Sequence, residues 1–265
     1  MSEVALFVHS TGVGPFMWTK LLADLPEGVQ PLTPTNRGYS FMDMLPRGTP
    51  INLADEVAHL KAQIPAGTTG VHLGGHSYGG LAALALAMDP EVPVRSIWLY
   101  EPVLFGSLKA LLDADPASLP EDAAEQVRAL FGDPDALLNE ETGGDDTWLE
   151  RFVDYWNQPG MWASMPEKAK AMARMVGWKM FQEVRIVSQE PEAFGHYRLQ
   201  VPTTLVYGEH TTPPAREMVR RLAEVNPHAE VIKLEGQGHM GLVGAPGAVS
   251  PTLQAHWQRV TAAAA

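Results

Sequence analysis

The stretch from Val71 to Ala87 constrains the fold more than any other part of the chain. A short apolar run, Val71-His72-Leu73, passes into Gly74-Gly75-His76-Ser77-Tyr78-Gly79-Gly80 and then directly into Leu81-Ala82-Ala83-Leu84-Ala85-Leu86-Ala87. The order is strand, sharp turn, apolar helix. Gly75 and Gly79 flank Ser77 in the pattern G-x-S-x-G, and without Cβ atoms they let the strand and the helix approach closely. A serine at the tip of such a turn sits in strained backbone, beneath the free N–H groups of a helix start. This is the pattern of a nucleophile elbow. A glycine-rich strand-to-helix turn with an incidental serine has the same five letters, but the strand before, the helix after and the extra Gly80 favour the elbow.

The rest of the chain repeats the same rhythm. Val4 to Val8 reads as a buried parallel strand that ends in the loop His9-Ser10-Thr11-Gly12-Val13-Gly14. Phe16 to Leu25 reads as a helix with Trp18, Leu21, Leu22 and Leu25 on one face. Val29 to Thr35 reads as a strand placed at a sheet edge by Pro31 and Pro34. Asn52 caps an expected helix over Leu53 to Ile64. Strands are expected at Val94–Tyr100, Pro202–Gly208 and Ala229–Leu234, and helices at Pro214–Val225 and Ser250–Val260. Between 105 and 200 the strand signals stop. Thr147-x-x-Glu150 and Ser164-x-x-Glu167 have capping-box spacing before helical apolar runs, the second carrying Met172, Met175 and Met180. The acidic, glycine-bearing run 139–146 reads as a mobile surface loop. The expected organisation is a core of residues 1–104 and 201–265, with a helical cap, 105–200, inserted in it.

Alternating strands and helices imply an α/β fold of about six mostly parallel strands with helices on both faces. In such a sheet the carboxyl ends of the strands line one edge, where ligands bind. Thr11, Ser77 and His239 all fall on that edge. A hydroxyl nucleophile needs a base for its proton, and His239 in Gly236-Gln237-Gly238-His239-Met240 is the candidate.

Composition narrows the chemistry. The 265 residues carry a formal net charge of −12, which speaks against nucleic acid and anionic membrane surfaces as partners. There is no cysteine, hence no disulfide, thiolate zinc site or cysteine nucleophile. No metal-ligand spacing or dinucleotide fingerprint stands out, so no cofactor is expected. Met1-Ser2-Glu3 leads into the first strand without a basic and then apolar leader, so a cytoplasmic protein is expected.

With these motifs in place the chain resembles the α/β-hydrolase superfamily. The resemblance rests on Val8-His9-Ser10-Thr11-Gly12, Gly75-His76-Ser77-Tyr78-Gly79-Gly80, Leu99-Tyr100-Glu101-Pro102, Leu205-Val206-Tyr207-Gly208 and Gly236-Gln237-Gly238-His239-Met240, in that order. It implies Ser77 as nucleophile, His239 as base, an acid that orients the histidine, and an oxyanion hole from the N–H groups of Thr11 and Tyr78. Three departures stand out. The first loop has His9-Ser10 where the family usually has His-Gly. No antiparallel hairpin precedes the first strand. Thr211 stands where the family's acid commonly lies, and threonine carries no negative charge. Glu101, one strand earlier, is the first candidate for the acid, and Glu209 the second.

The expected function is therefore a cofactor-free serine hydrolase. It would cleave an ester, thioester or similarly activated acyl bond of a fairly apolar small molecule through an acyl-enzyme on Ser77. C–C bond hydrolysis, lyase or acyl-transfer chemistry by the same triad stays open, as does a catalytically silent binding protein.

Overall fold

The computed structural model describes residues 2–133 and 137–264. Its centre is a six-stranded sheet in the order β2-β1-β3-β4-β5-β6, every neighbouring pair parallel. The strands are β1 (Ser2–Val8), β2 (Val29–Leu32), β3 (Thr68–His76), β4 (Val94–Tyr100), β5 (Thr203–Gly208) and β6 (Glu230–Leu234). β2 takes the sheet edge, where a proline such as Pro31 is tolerated.

The pleat sorts side chains onto two faces. Val4, Leu6 and Val8 of β1 join one apolar cluster, and Ala5 and Phe7 join the other. The first face is covered by α1 (Leu53–Lys61), α2 (Tyr78–Ala87) and α8 (Pro213–Val225), and the second by α10 (Pro246–Ala264). A one-turn α9 (Gly241–Gly244) precedes α10. Asn52 caps α1, its side chain accepting from the Asp55 N–H at 2.8 Å. α2 is apolar all round and almost wholly buried, as a helix between a sheet and a second helical layer must be.

That second layer comes from the chain between β4 and β5: α3 (Phe105–Ala114), α4 (Glu121–Gly132), α5 (Asp146–Trp156), α6 (Met161–Ser164) and α7 (Glu167–Gln189). Phe105, Trp148, Trp156, Phe181 and Val184 belong to the same apolar cluster as the first sheet face, so these helices share its core.

Several local expectations change. Phe16–Leu25 is two 3₁₀ turns, Pro15–Trp18 and Leu21–Asp24. Trp18 and Leu21 are buried as expected, but an i, i+3 apolar spacing fits a 3₁₀ turn as well as an α-helix. α5 is capped by Asp145, which accepts from the Trp148 N–H at 2.9 Å, and Thr147 lies inside the helix. Ser164 bonds back to Met161 O at 2.8 Å, and Pro166 stands at the N-cap of α7. α7 buries only its second half, from Gly177 on; Met172 and Met175 are exposed. The acidic run is held in place: Arg47 donates to the carbonyls of Glu140, Glu141 and Gly143 at 2.7–2.9 Å. α10 begins four residues earlier than Ser250 and absorbs Pro251 within its first turns.

Candidate active site

Ser77 sits between β3 and α2 at φ 57°, ψ −123°. Close packing forces this turn. A Cβ on Gly75 would lie 2.5 Å from Gly79 O, and one on Gly80 would lie 2.6 Å from Pro102 Cβ. The Ser77 N–H donates to Tyr100 O at 3.2 Å, and its carbonyl accepts from Val103 N at 3.2 Å. These bonds hold a conformation that costs about 1–3 kcal/mol.

Glu101 is the only other non-glycine residue with positive φ among those described, at 43°. It follows β4, and its turned backbone swings the side chain towards the end of the neighbouring strand β5. The carboxylate is fully buried and accepts from three donors: Gly208 N–H at 2.7 Å, the Thr211 hydroxyl at 2.5 Å and His239 Nδ1 at 2.7 Å. Such donors offset the desolvation of a buried charge. With Nδ1–H committed to Glu101, Nε2 of His239 is left to accept, and it lies 3.0 Å from Ser77 Oγ.

Of the two candidate acids, only Glu101 meets His239. Glu209 faces outward, bound to Lys233 at 2.8 Å and to the Gly236 N–H at 3.1 Å, and the lysine holds its carboxyl below the usual range. Thr211 supplies a hydroxyl to the carboxylate that reaches His239 from the adjacent strand.

The loop that carries His239 is anchored twice. Tyr100 donates to Gly238 O at 2.7 Å and His76 Nε2 to His239 O at 2.8 Å. Burial, together with the nearby His239, holds the His76 pKa well below its ordinary value, so it serves as a neutral donor. His9 also binds locally. Its Nδ1 donates to Ser10 O at 2.9 Å, and its Nε2 accepts from Asn36 N–H at 3.0 Å. Burial lowers its pKa to about 4. From α5, the Trp156 ring stacks on His239 at 3.8 Å between centroids and 25° between planes.

Thr11, Ser77 and Tyr78 line one small apolar cavity with Phe105, Phe152, Trp156 and Val184. Its free volume is about 20 Å³. A hollow of about 480 Å³ beside Gln126, Arg151 and Tyr155 shares Leu130 and Leu137 with it. A larger open depression, about 560 Å³, lies around Asp24, Gln254 and Thr261 and holds none of these groups. Among the described residues, no cluster of three or more His, Asp or Glu is arranged to hold a metal ion. No helix among them is long and apolar enough to cross a membrane.

Sequence reasoning missed the contact of Trp156 with His239 and the bond from Thr211. It also missed a buried ionic cluster of Glu56, Lys179 and Glu183. The spacing of Phe152, Tyr155 and Trp156 marks a face for burial, but periodicity does not say which imidazole that face will meet.

The alpha/beta hydrolase family matches the chain over residues 5–252, and the chain belongs to it. It is 23% identical to lipase 1 of Psychrobacter immobilis over 251 residues, 92% of this chain and 73% of that protein. Among solved structures it is similar to an enol-lactonase from Burkholderia xenovorans, with a TM-score of 0.67 at 16% identity, covering 97% of this chain and 92% of the other. It is also similar to a thermophilic esterase from Thermogutta terrifontis, with a TM-score of 0.64 at 17% identity, covering 98% and 91%. At these identities the structural likeness speaks for the fold.

Proposed function

We propose that the protein is a serine hydrolase acting on esters, thioesters or similarly activated acyl groups of small apolar molecules. The observation that carries this reading is the chain of contacts from Ser77 Oγ to His239 Nε2, 3.0 Å, and from His239 Nδ1 to Glu101, 2.7 Å. His239 takes the Ser77 proton as Oγ attacks the carbonyl carbon, and Glu101 stabilises the imidazolium. The N–H groups of Tyr78 and Thr11 hold the oxyanion. Collapse of the tetrahedral intermediate passes the proton to the leaving group and leaves an acyl-enzyme, which water cleaves by the reverse sequence.

The helices between β4 and β5 act as a cap that encloses the acyl group. Room for little more than one water favours short acyl chains while those helices stay in place. The lipase relatives support ester chemistry, and the completed Ser–His–Glu contacts weigh against a silent binder.

The test compares wild type with Ser77→Ala on p-nitrophenyl acetate and butyrate and with a fluorophosphonate probe. The variant should lose turnover by about 10⁵–10⁶-fold and should not be labelled. Equal labelling of both proteins removes Ser77 from the mechanism.

A further inference from the structure

A buried charge cluster that the reaction scheme does not use lies against the Tyr78 hydroxyl. Lys179 and Glu183 come from α7 and Glu56 from α1, and all three are buried. Lys179 Nζ lies 2.6 Å from Glu56 Oε2 and 3.3 Å from Glu183 Oε1. A buried ion pair with an extra carboxylate is a poor source of stability, since desolvation of the charges offsets their attraction. Its other bonds show what it holds. Glu56 Oε2 accepts from the Tyr78 hydroxyl at 3.2 Å, and Glu56 Oε1 from Arg37 N–H at 3.0 Å. Glu183 Oε2 accepts from the Tyr39 hydroxyl at 2.6 Å, and that same oxygen of Tyr39 accepts from the Gly12 N–H at 2.8 Å. The cluster thus reaches the two segments that bear the proposed oxyanion donors, Thr11-Gly12 after β1 and Tyr78 at the start of α2.

α7 also presses on the loop directly. Gly12 has φ +73°, and a Cβ there would lie 2.7 Å from Met180 Cε. Tyr39 is the link that carries this constraint to the backbone, because its hydroxyl fixes the peptide plane next to the Thr11 N–H. One ammonium between two carboxylates leaves no surplus of positive charge for an oxyanion. The contribution of the cluster is therefore geometric.

We propose that Tyr39, Glu183 and Lys179 are positioning residues for the oxyanion hole, through which helix α7 sets the placement of the Thr11-Gly12 backbone. This rests on the reading of Ser77 as nucleophile.

The experiment uses Tyr39→Phe and Glu183→Gln. Each is assayed for kcat and KM on p-nitrophenyl acetate. Each is then titrated with an alkyl trifluoromethyl ketone, which adds to a nucleophilic serine and forms an oxyanion, and with the corresponding alcohol, which fills the same space without one. Tyr39→Phe should lower kcat and ketone affinity by about 10–100-fold while KM and alcohol affinity stay within about twofold. Equal losses for ketone and alcohol, or an unchanged kcat, overturn the proposal. If Glu183→Gln folds poorly, Tyr39→Phe, which lacks one oxygen atom, decides alone. Wild type that ignores the ketone, or Ser77→Ala that still turns over, overturns the serine reading and the proposal with it. Inhibited wild type with an unaffected Tyr39→Phe overturns the proposal alone.

Discussion

The carboxyl edge of the sheet and the helical segment above it both aim side chains at the same small cavity, but they hold them differently. At the edge, positions are set by backbone. Ser77 is trapped by Gly75, Gly79 and Gly80, Glu101 receives the Gly208 N–H, and His239 is tied through carbonyls to Tyr100 and His76. In the helical segment, the groups that reach the edge do so through side-chain contacts. Trp156 lies on His239 by ring contact, and Lys179 and Glu183 reach the edge through Tyr39 and Glu56. Groups held by strand ends and tight turns are hard to displace one at a time. Groups held by other side chains depend on how the helices dock.

The largest effect belongs to the edge. Glu101→Gln keeps the shape but leaves one acceptor oxygen where three donors converge, and it removes the charge that would stabilise an imidazolium in the proposed reaction. The expected loss in kcat on p-nitrophenyl esters is about 10³–10⁴-fold, with KM little changed. Glu209→Gln should leave kcat within about twofold, because its partners are Lys233 and Gly236. A larger loss in Glu209→Gln than in Glu101→Gln transfers the role of acid and breaks the comparison at its strongest point.

Acid should separate the two regions next. In the folded chain, His9 Nε2 accepts the Asn36 N–H, so protonation there would set two donors against each other. The folded pKa is about 4, while the unfolded value is near 6.5. Between those values the unfolded state binds more protons, so stability falls as pH falls, by about 1.4 kcal/mol per unit and about 3 kcal/mol across the window. Glu183 has the opposite sign. Burial raises its pKa, so the folded state binds more protons just above the usual carboxylate range, and acid favours folding there. Urea midpoints from pH 7 to pH 4.5 should decline in wild type and decline less steeply in His9→Gln. An unchanged slope in that variant removes His9 as the origin.

The same division governs what was legible in the sequence. Strand ends on a parallel sheet converge by topology, so once Ser77, Glu101 and His239 are placed after β3, β4 and β6, their meeting follows from strand order. Family resemblance supplied the roles, and the threonine at 211 directed attention to Glu101. The helical segment obeys no such rule. Its apolar periodicity marked buried faces but misplaced two helix starts, and the run that carries Met172 and Met175 leaves both facing solvent. Lys179 and Glu183 look like ordinary i, i+4 surface charges in the sequence. Only the docking of α7 against α1 and α2 turns them inward. The two 3₁₀ turns after β1 fail for a related reason, since short apolar spacing does not distinguish them from a helix.

A smaller effect at the edge is expected from Thr211→Val. The swap keeps the volume and removes the hydroxyl that donates to Glu101 Oε2. A hydrogen bond to a charged group contributes about 1.5–3 kcal/mol, and part of that loss should appear as about a tenfold fall in kcat through a less firmly oriented carboxylate. Esterase kinetics beside thermal unfolding would divide the cost. A kcat equal to wild type would mean that Gly208 and His239 orient Glu101 without help.

The smallest expected effect comes from the helical side. Trp156→Leu takes away the ring that covers His239 and keeps an apolar group in the cavity wall. In the proposed reaction the imidazole takes the Ser77 proton and becomes a cation against an aromatic face, a contact that contributes about 0.7–1.4 kcal/mol. The loss in kcat should therefore be about three- to tenfold. The smaller side chain also enlarges the cavity, so preference should shift from acetyl towards butyryl and hexanoyl p-nitrophenyl esters. The ratio of kcat/KM across those three substrates measures the shift. Lost activity with an unshifted preference would make Trp156 a partner of the histidine alone. A loss as deep as that of Glu101→Gln would mean that a residue held only by side chains matters as much as one held by the sheet, and the contrast between the two regions would fail.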